Sequence, residues 1–119
     1  MRYLMLVCGA PEEWAHVTEA ASEREMEGII AWAEKWIAEG KLDVGGELTP
    51  PEQAKTIRLD ADGTPQVTDG PYLELKEIIG GISYIVADSL EEALSVAATF
   101  PGLATCPSNS VEVRPIIEH

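Results

Sequence analysis

Between positions 69 and 77 the chain reads Asp69-Gly70-Pro71-Tyr72-Leu73-Glu74-Leu75-Lys76-Glu77, four charged side chains packed behind a turn. Gly70 tolerates positive φ, and Pro71 fixes its own φ while biasing Gly70 away from the α region. The polar groups expected to converge on a cleft at the end of a sheet are Asp69, Glu74, Lys76 and Glu77, with Arg58, Glu112 and Arg114 arriving from strands. There, Asp69 or Glu74 could act as a general base once burial raised its pKa toward neutrality. Lys76 or Arg114 would anchor a carboxylate ligand, the arginine by a bidentate fork, and Tyr72 and Arg58 complete the ligand-binding set. The plainer alternative is that Asp69 bonds its own turn and the remaining charges form a solvated face or an ion pair.

Other chemistries find less support. Of the two histidines, His16 falls in an acidic connecting segment and His119 is the last residue, so each reads as solvated rather than catalytic. There is no Gly-x-Ser-x-Gly elbow, and Gly45-Gly46 and Gly80-Gly81 do not open helices with dinucleotide-binding spacing. The acidic turn Asp60-Ala61-Asp62-Gly63-Thr64 lacks the twelve-residue calcium pattern with its terminal Glu. No metal and no cofactor is expected.

Composition narrows the partners. The 119 residues suit one domain, 1–119, and carry 21 acidic against 8 basic side chains, a net charge of −13. The basic residues are scattered, which argues against nucleic acid and against an anionic membrane surface. No apolar run approaches the roughly 20 residues of a membrane span, and the opening Met1–Cys8 segment reads as a strand rather than a signal peptide. Cys8 and Cys106 have no metal-type spacing and are expected as two reduced, packed thiols of a cytoplasmic protein.

These groups must be held by a short series of elements. Tyr3 to Cys8 is apolar on both alternating sets, the mark of a strand covered on both faces. The acidic stretch Glu12 to Ala21 reads as a connecting loop with a helical turn near Trp14. A helix is expected over Glu23–Glu39, capped by Ser22 with Glu25 and stopped by Gly40. Its buried stripe is expected at Met26, Ile29, Ile30, Ala33 and Ile37, with Trp32 pointing away from the stripe. Lys41–Leu48 follows as a strand, with a bulge at its two glycines. Ala54–Leu59 and Pro65–Thr68 make a hairpin, and Gly81–Ala87 a further strand. A second helix starts at Ser89, burying Leu90, Ala93, Leu94 and Ala97, and the last strand begins at Val111. The order is a ferredoxin-like βαββαβ plan with an extra hairpin, of the α+β class. Two helices cover one face of four strands, so the other apolar face calls for an identical sheet from a second chain.

The run from Asp69 to Glu77, followed by Gly80-Gly81 and closed by Ser110-Val111-Glu112-Val113-Arg114-Pro115-Ile116, resembles the YCII-related family. Its nearest likeness is the branch named for an Asp-Gly-Pro-Phe (DGPF) motif; here Tyr72 stands for Phe, and Leu73 and Leu75 for Ala and Thr. The resemblance implies a homodimer in which two sheets close a dimeric α/β barrel. It fixes no reaction. Some enzymes of the wider group look like isomerases or dehydrochlorinases with a His-Asp pair, but this chain has no His between Ser22 and Gly40, and Phe100 precedes Pro101. Two functions follow. One is a small-molecule-binding or regulatory domain with its pocket near Asp69–Glu77, drawn from a pocket-like signature without an obvious base and from relatives that resemble partners of alternative sigma factors. The other is an enzyme transferring protons on a small organic acid or lactone.

Overall fold

The computed structural model describes residues 1–70 and 77–119. Strand β1 (Arg2–Gly9) is followed by a single helical turn, α1 (Pro11–Trp14), and the long helix α2 (Glu19–Ala38). Then come β2 (Leu42–Glu47), the hairpin β3 (Lys55–Leu59) and β4 (Pro65–Asp69), and β5 (Ile78–Val86). Helix α3 (Leu90–Ala97) and β6 (Ser110–Pro115) close the fold. The main sheet has the order β2-β5-β1-β6 with every neighbouring pair antiparallel. This is consistent with the expected ferredoxin-like α+β plan, the hairpin forming a separate two-stranded sheet.

One face of the sheet carries the core. Tyr3 and Met5 of β1, Leu42 of β2 and Ile85 of β5 are buried against Trp32 of α2 and Ala93, Val96 and Ala97 of α3, with Phe100 behind them. The odd positions of β1 face these helices, as strand alternation dictates. The even positions Leu4, Leu6 and Cys8 share the opposite face with Tyr84 and Ile82 of β5 and are only half-buried. Two-sided apolar character in β1 therefore corresponds to one face packed on helices and one open in the single chain.

The helices differ from expectation in phase and extent. Helix α2 begins at Glu19, with Thr18 as N-cap accepting from the Ala21 amide at 3.1 Å, so part of the stretch read as a loop is helix. Ala20 and Ala21 extend the helix at low cost, and the Thr18 cap outcompetes Ser22 one turn later. Its end behaves as expected. Gly40 has φ +72°, the Lys41 amide bonds the Trp36 carbonyl at 2.9 Å, and the Gly40 amide bonds Ile37 at 3.0 Å, a Schellman stop.

The buried stripe of α2 runs through Ile29, Trp32, Ala33 and Trp36; Met26 and Ile37 are exposed but line the hollow between helix and sheet, and Ile30 is exposed outside it. Trp32 therefore faces inward, 7% exposed and edge-on to Phe100 at 5.2 Å between ring centroids. The largest apolar side chains set the phase because they bury the most area. Their indole N–H groups also find an acceptor there, both Trp32 and Trp36 donating to Thr99 Oγ1 at 2.9 and 3.1 Å. In α3, Ser89 caps as expected, but the stripe is Ala93, Val96 and Ala97, while Leu90 and Leu94 stay exposed. Small residues let this helix sit close to the sheet.

Candidate functional site

The glycine pairs place a hollow where α2 crosses the sheet. Gly45 and Gly46 lie on β2 at a bulge between Asp43 and Gly46, and Gly80 and Gly81 lie on the neighbouring β5. With no side chains to rise from this floor, Ile29 and Ala33 of α2 roof a cavity of about 370 Å³. That is the size of a pocket for a small organic molecule. The close approach at Gly45 is obligatory, since a Cβ there would fall 1.8 Å from the Ile82 carbonyl oxygen.

Trp14 forms one end wall, which explains why α1 exists. Its ring lies over Gly9 and Gly80, where an added Cβ would come within 2.5 and 2.7 Å of it. The indole nitrogen donates to Asn109 Oδ1 at 2.7 Å, and Asn109 Nδ2 donates to the Gly102 carbonyl at 2.8 Å. Glu13 accepts from the Ser108 amide and hydroxyl at 3.0 and 2.8 Å, tying the same turn to the segment before β6. Trp32 and Phe100 line the deeper wall. The ionisable side chains along the lining are Glu25 of α2 and Glu47 of β2, with no Lys, Arg or His among the described residues.

The described residues among those singled out from the sequence lie elsewhere. Asp69 ends β4, its carboxylate largely exposed and ion-paired with Lys55 across the hairpin. Gly70 has φ +73°, as its turn requires, and its carbonyl accepts from Thr56 Oγ1 at 2.7 Å. Arg58 is exposed opposite Gln66, on the other face of the hairpin from Asp69. Arg114 is exposed on β6 opposite Leu4, with Nε 4.0 Å from Glu112 Oε2. Tyr72, Glu74 and Lys76 lie outside the described residues. None of Arg58, Asp69, Glu77 and Arg114 lines the cavity. Trp14, Glu25, Glu47 and Asn109 were not singled out, although the two Gly-Gly pairs that make the hollow were plain in the sequence.

The remaining candidates are quickly placed. His16 is exposed at a shallow groove that Cys106 also lines. Cys106 is buried and Cys8 half-buried, and both are free. Burial pushes the Cys8 thiol above its ordinary pKa, helped by Glu112 and Glu77; burial does the same for Cys106, with Glu13 and then Glu25 adding to it. Neither thiol is activated as a nucleophile. Among the described residues no group of three or more His, Cys, Asp or Glu side chains could hold a metal ion. No helix among them is long and apolar enough to cross a membrane.

The sequence model of the YCII-related domain matches residues 1–119. The chain belongs to the YCII-related family. This YCII-related chain is also 38% identical over 94 residues to an uncharacterized protein of Rhizobium meliloti (strain 1021), a match covering 79% of this chain and 74% of that one. That relative brings no activity with it.

Proposed function

We propose that this YCII-related chain is a small-molecule-binding domain that works as a homodimer, with its ligand held between α2 and the β2–β5 edge. The cavity carries the reading. It is about 370 Å³, walled by aromatic and aliphatic side chains, and edged by a few polar groups. Those are the features of ligand pockets in general. The Asp69–Glu77 run leads directly into β5, whose Gly80-Gly81 pair makes half of the floor. A binding role needs no nucleophile, and the described lining offers no His, Lys or Cys.

Dimerisation is supported by what the single chain leaves open. Leu4, Leu6, Ile82 and Tyr84 make an apolar strip down the middle of the open face, bordered by Arg2, Asp43, Glu112 and Arg114, and no helix of the described residues lies over it. The hairpin adds Ile57, Leu59 and Val67 at 65, 68 and 62% exposure, with Ile57 and Val67 directly opposed. A two-stranded ribbon is marginal alone in water, and β3 and β4 pack mainly on each other. A second copy closing sheet on sheet would cover both surfaces in a dimeric α/β barrel.

The ligand site is tested with indole as a neutral probe. Binding is expected to raise the unfolding temperature, and Ala33→Leu, which fills the roof with a good helix former, is expected to abolish the shift. An equal response from Ala33→Leu would place the indole elsewhere.

A further inference from the structure

We infer that the α2–sheet cleft selects a protonated amine carried on a flat apolar body over a carboxylic acid of the same shape. The inference rests on the reading of the cleft as the ligand site and adds the charge of its occupant. Glu25 and Glu47 are the ionisable groups of the described lining, and no ion pair joins either to a described residue. An entering carboxylate would meet two like charges and no cation. It would also find few donors. The side-chain donors left along the lining are the Ser83 hydroxyl and one N–H of Asn109, whose oxygen is taken by Trp14 and whose other N–H goes to the Gly102 carbonyl.

An ammonium group meets the opposite conditions. Both carboxylates can accept from it, and the rings of Trp14, Trp32 and Phe100 are faces on which cations and flat apolar groups rest well. The whole chain, at −13, also concentrates cations near its surface.

Calorimetry on the full chain with three probes of one shape tests this: indole, tryptamine and indole-3-propionate. Tryptamine is expected to bind about tenfold more tightly than the propionate, two partly exposed carboxylates each contributing a modest attraction. The ratio is expected to shrink at high ionic strength and to collapse in Glu25→Gln/Glu47→Gln, whose fold is checked by circular dichroism. Propionate binding as tightly as tryptamine, with indole still bound and still blocked by Ala33→Leu, would overturn the charge preference and leave the cavity as a ligand site. A ratio unchanged in the double variant would overturn the role of these two carboxylates. Failure of all three probes to bind would remove the ligand reading, and this inference with it.

Discussion

At the scale of single residues, the Lys41–Glu92 pair shows how local charge couples to pH. Lys41 and Glu92 form an ion pair, and Glu92 also accepts from the Asp88 amide at 3.1 Å. The Lys41 hydrogen bond, then the Asp88 amide, lower the Glu92 pKa; the Glu92 hydrogen bond and charge raise that of Lys41. A lowered carboxylate contributes stability above its unfolded pKa and loses it as pH falls through the folded value. A raised lysine contributes below its unfolded pKa and loses it as pH rises through the folded value. The pair therefore acts between about pH 4.3 and pH 10.4, the ordinary values of the two groups. Glu92→Gln is expected to unfold at a lower temperature than the parent at neutral pH, the gap closing in acid. Trp32→Ala is expected to cost about 3–5 kcal/mol in urea unfolding, because a buried indole leaves a void and Phe100 loses its edge contact.

At the scale of elements, the strands were legible and the helix faces were not. β1 announced itself by apolar residues at every position from Tyr3 to Cys8, and the glycines of β2 marked its bulge. In α2, eight apolar side chains from Met26 to Ile37 cover so wide an arc that several phases look equally buried. The phase is set by burying Trp32 and Trp36, whose indoles find their acceptor in Thr99, 67 residues beyond Trp32 in sequence, a pairing no local pattern reveals. The cavity was hidden for a different reason: it is made by side chains that are missing, and a hydrophobicity pattern records only those present. Adjacent glycines make the point measurable. Gly45→Ala puts a Cβ on the Ile82 carbonyl and is expected to cost at the upper end of the about 1–3 kcal/mol of an overpacked site. Gly46→Ala meets nothing within 4 Å and is expected to change unfolding little.

At the scale of the whole molecule, the single chain is broad and thin, 49 × 43 × 20 Å. Its radius of gyration is 16.4 Å, against about 13.5 Å for a compact domain of this length, which fits a hairpin arm projecting from a one-sided sandwich. Light scattering is expected to give twice the 12.9 kDa chain mass, and Leu6→Glu, which plants a charge in the middle of the open face, is expected to halve it. A parent chain that runs as a 12.9 kDa species at micromolar concentration would remove the dimer. With −13 on each copy, association is also expected to tighten as salt screens the repulsion.

The placement of the indoles makes the protein its own optical gauge. The chain has three tryptophans: Trp14 and Trp32 are in the cleft wall, and Trp36 shares the Thr99 hydroxyl with Trp32. Ultraviolet emission from the native chain thus originates at or beside the cleft, so a non-absorbing guest arriving there would be seen as a change in colour or brightness without any attached dye.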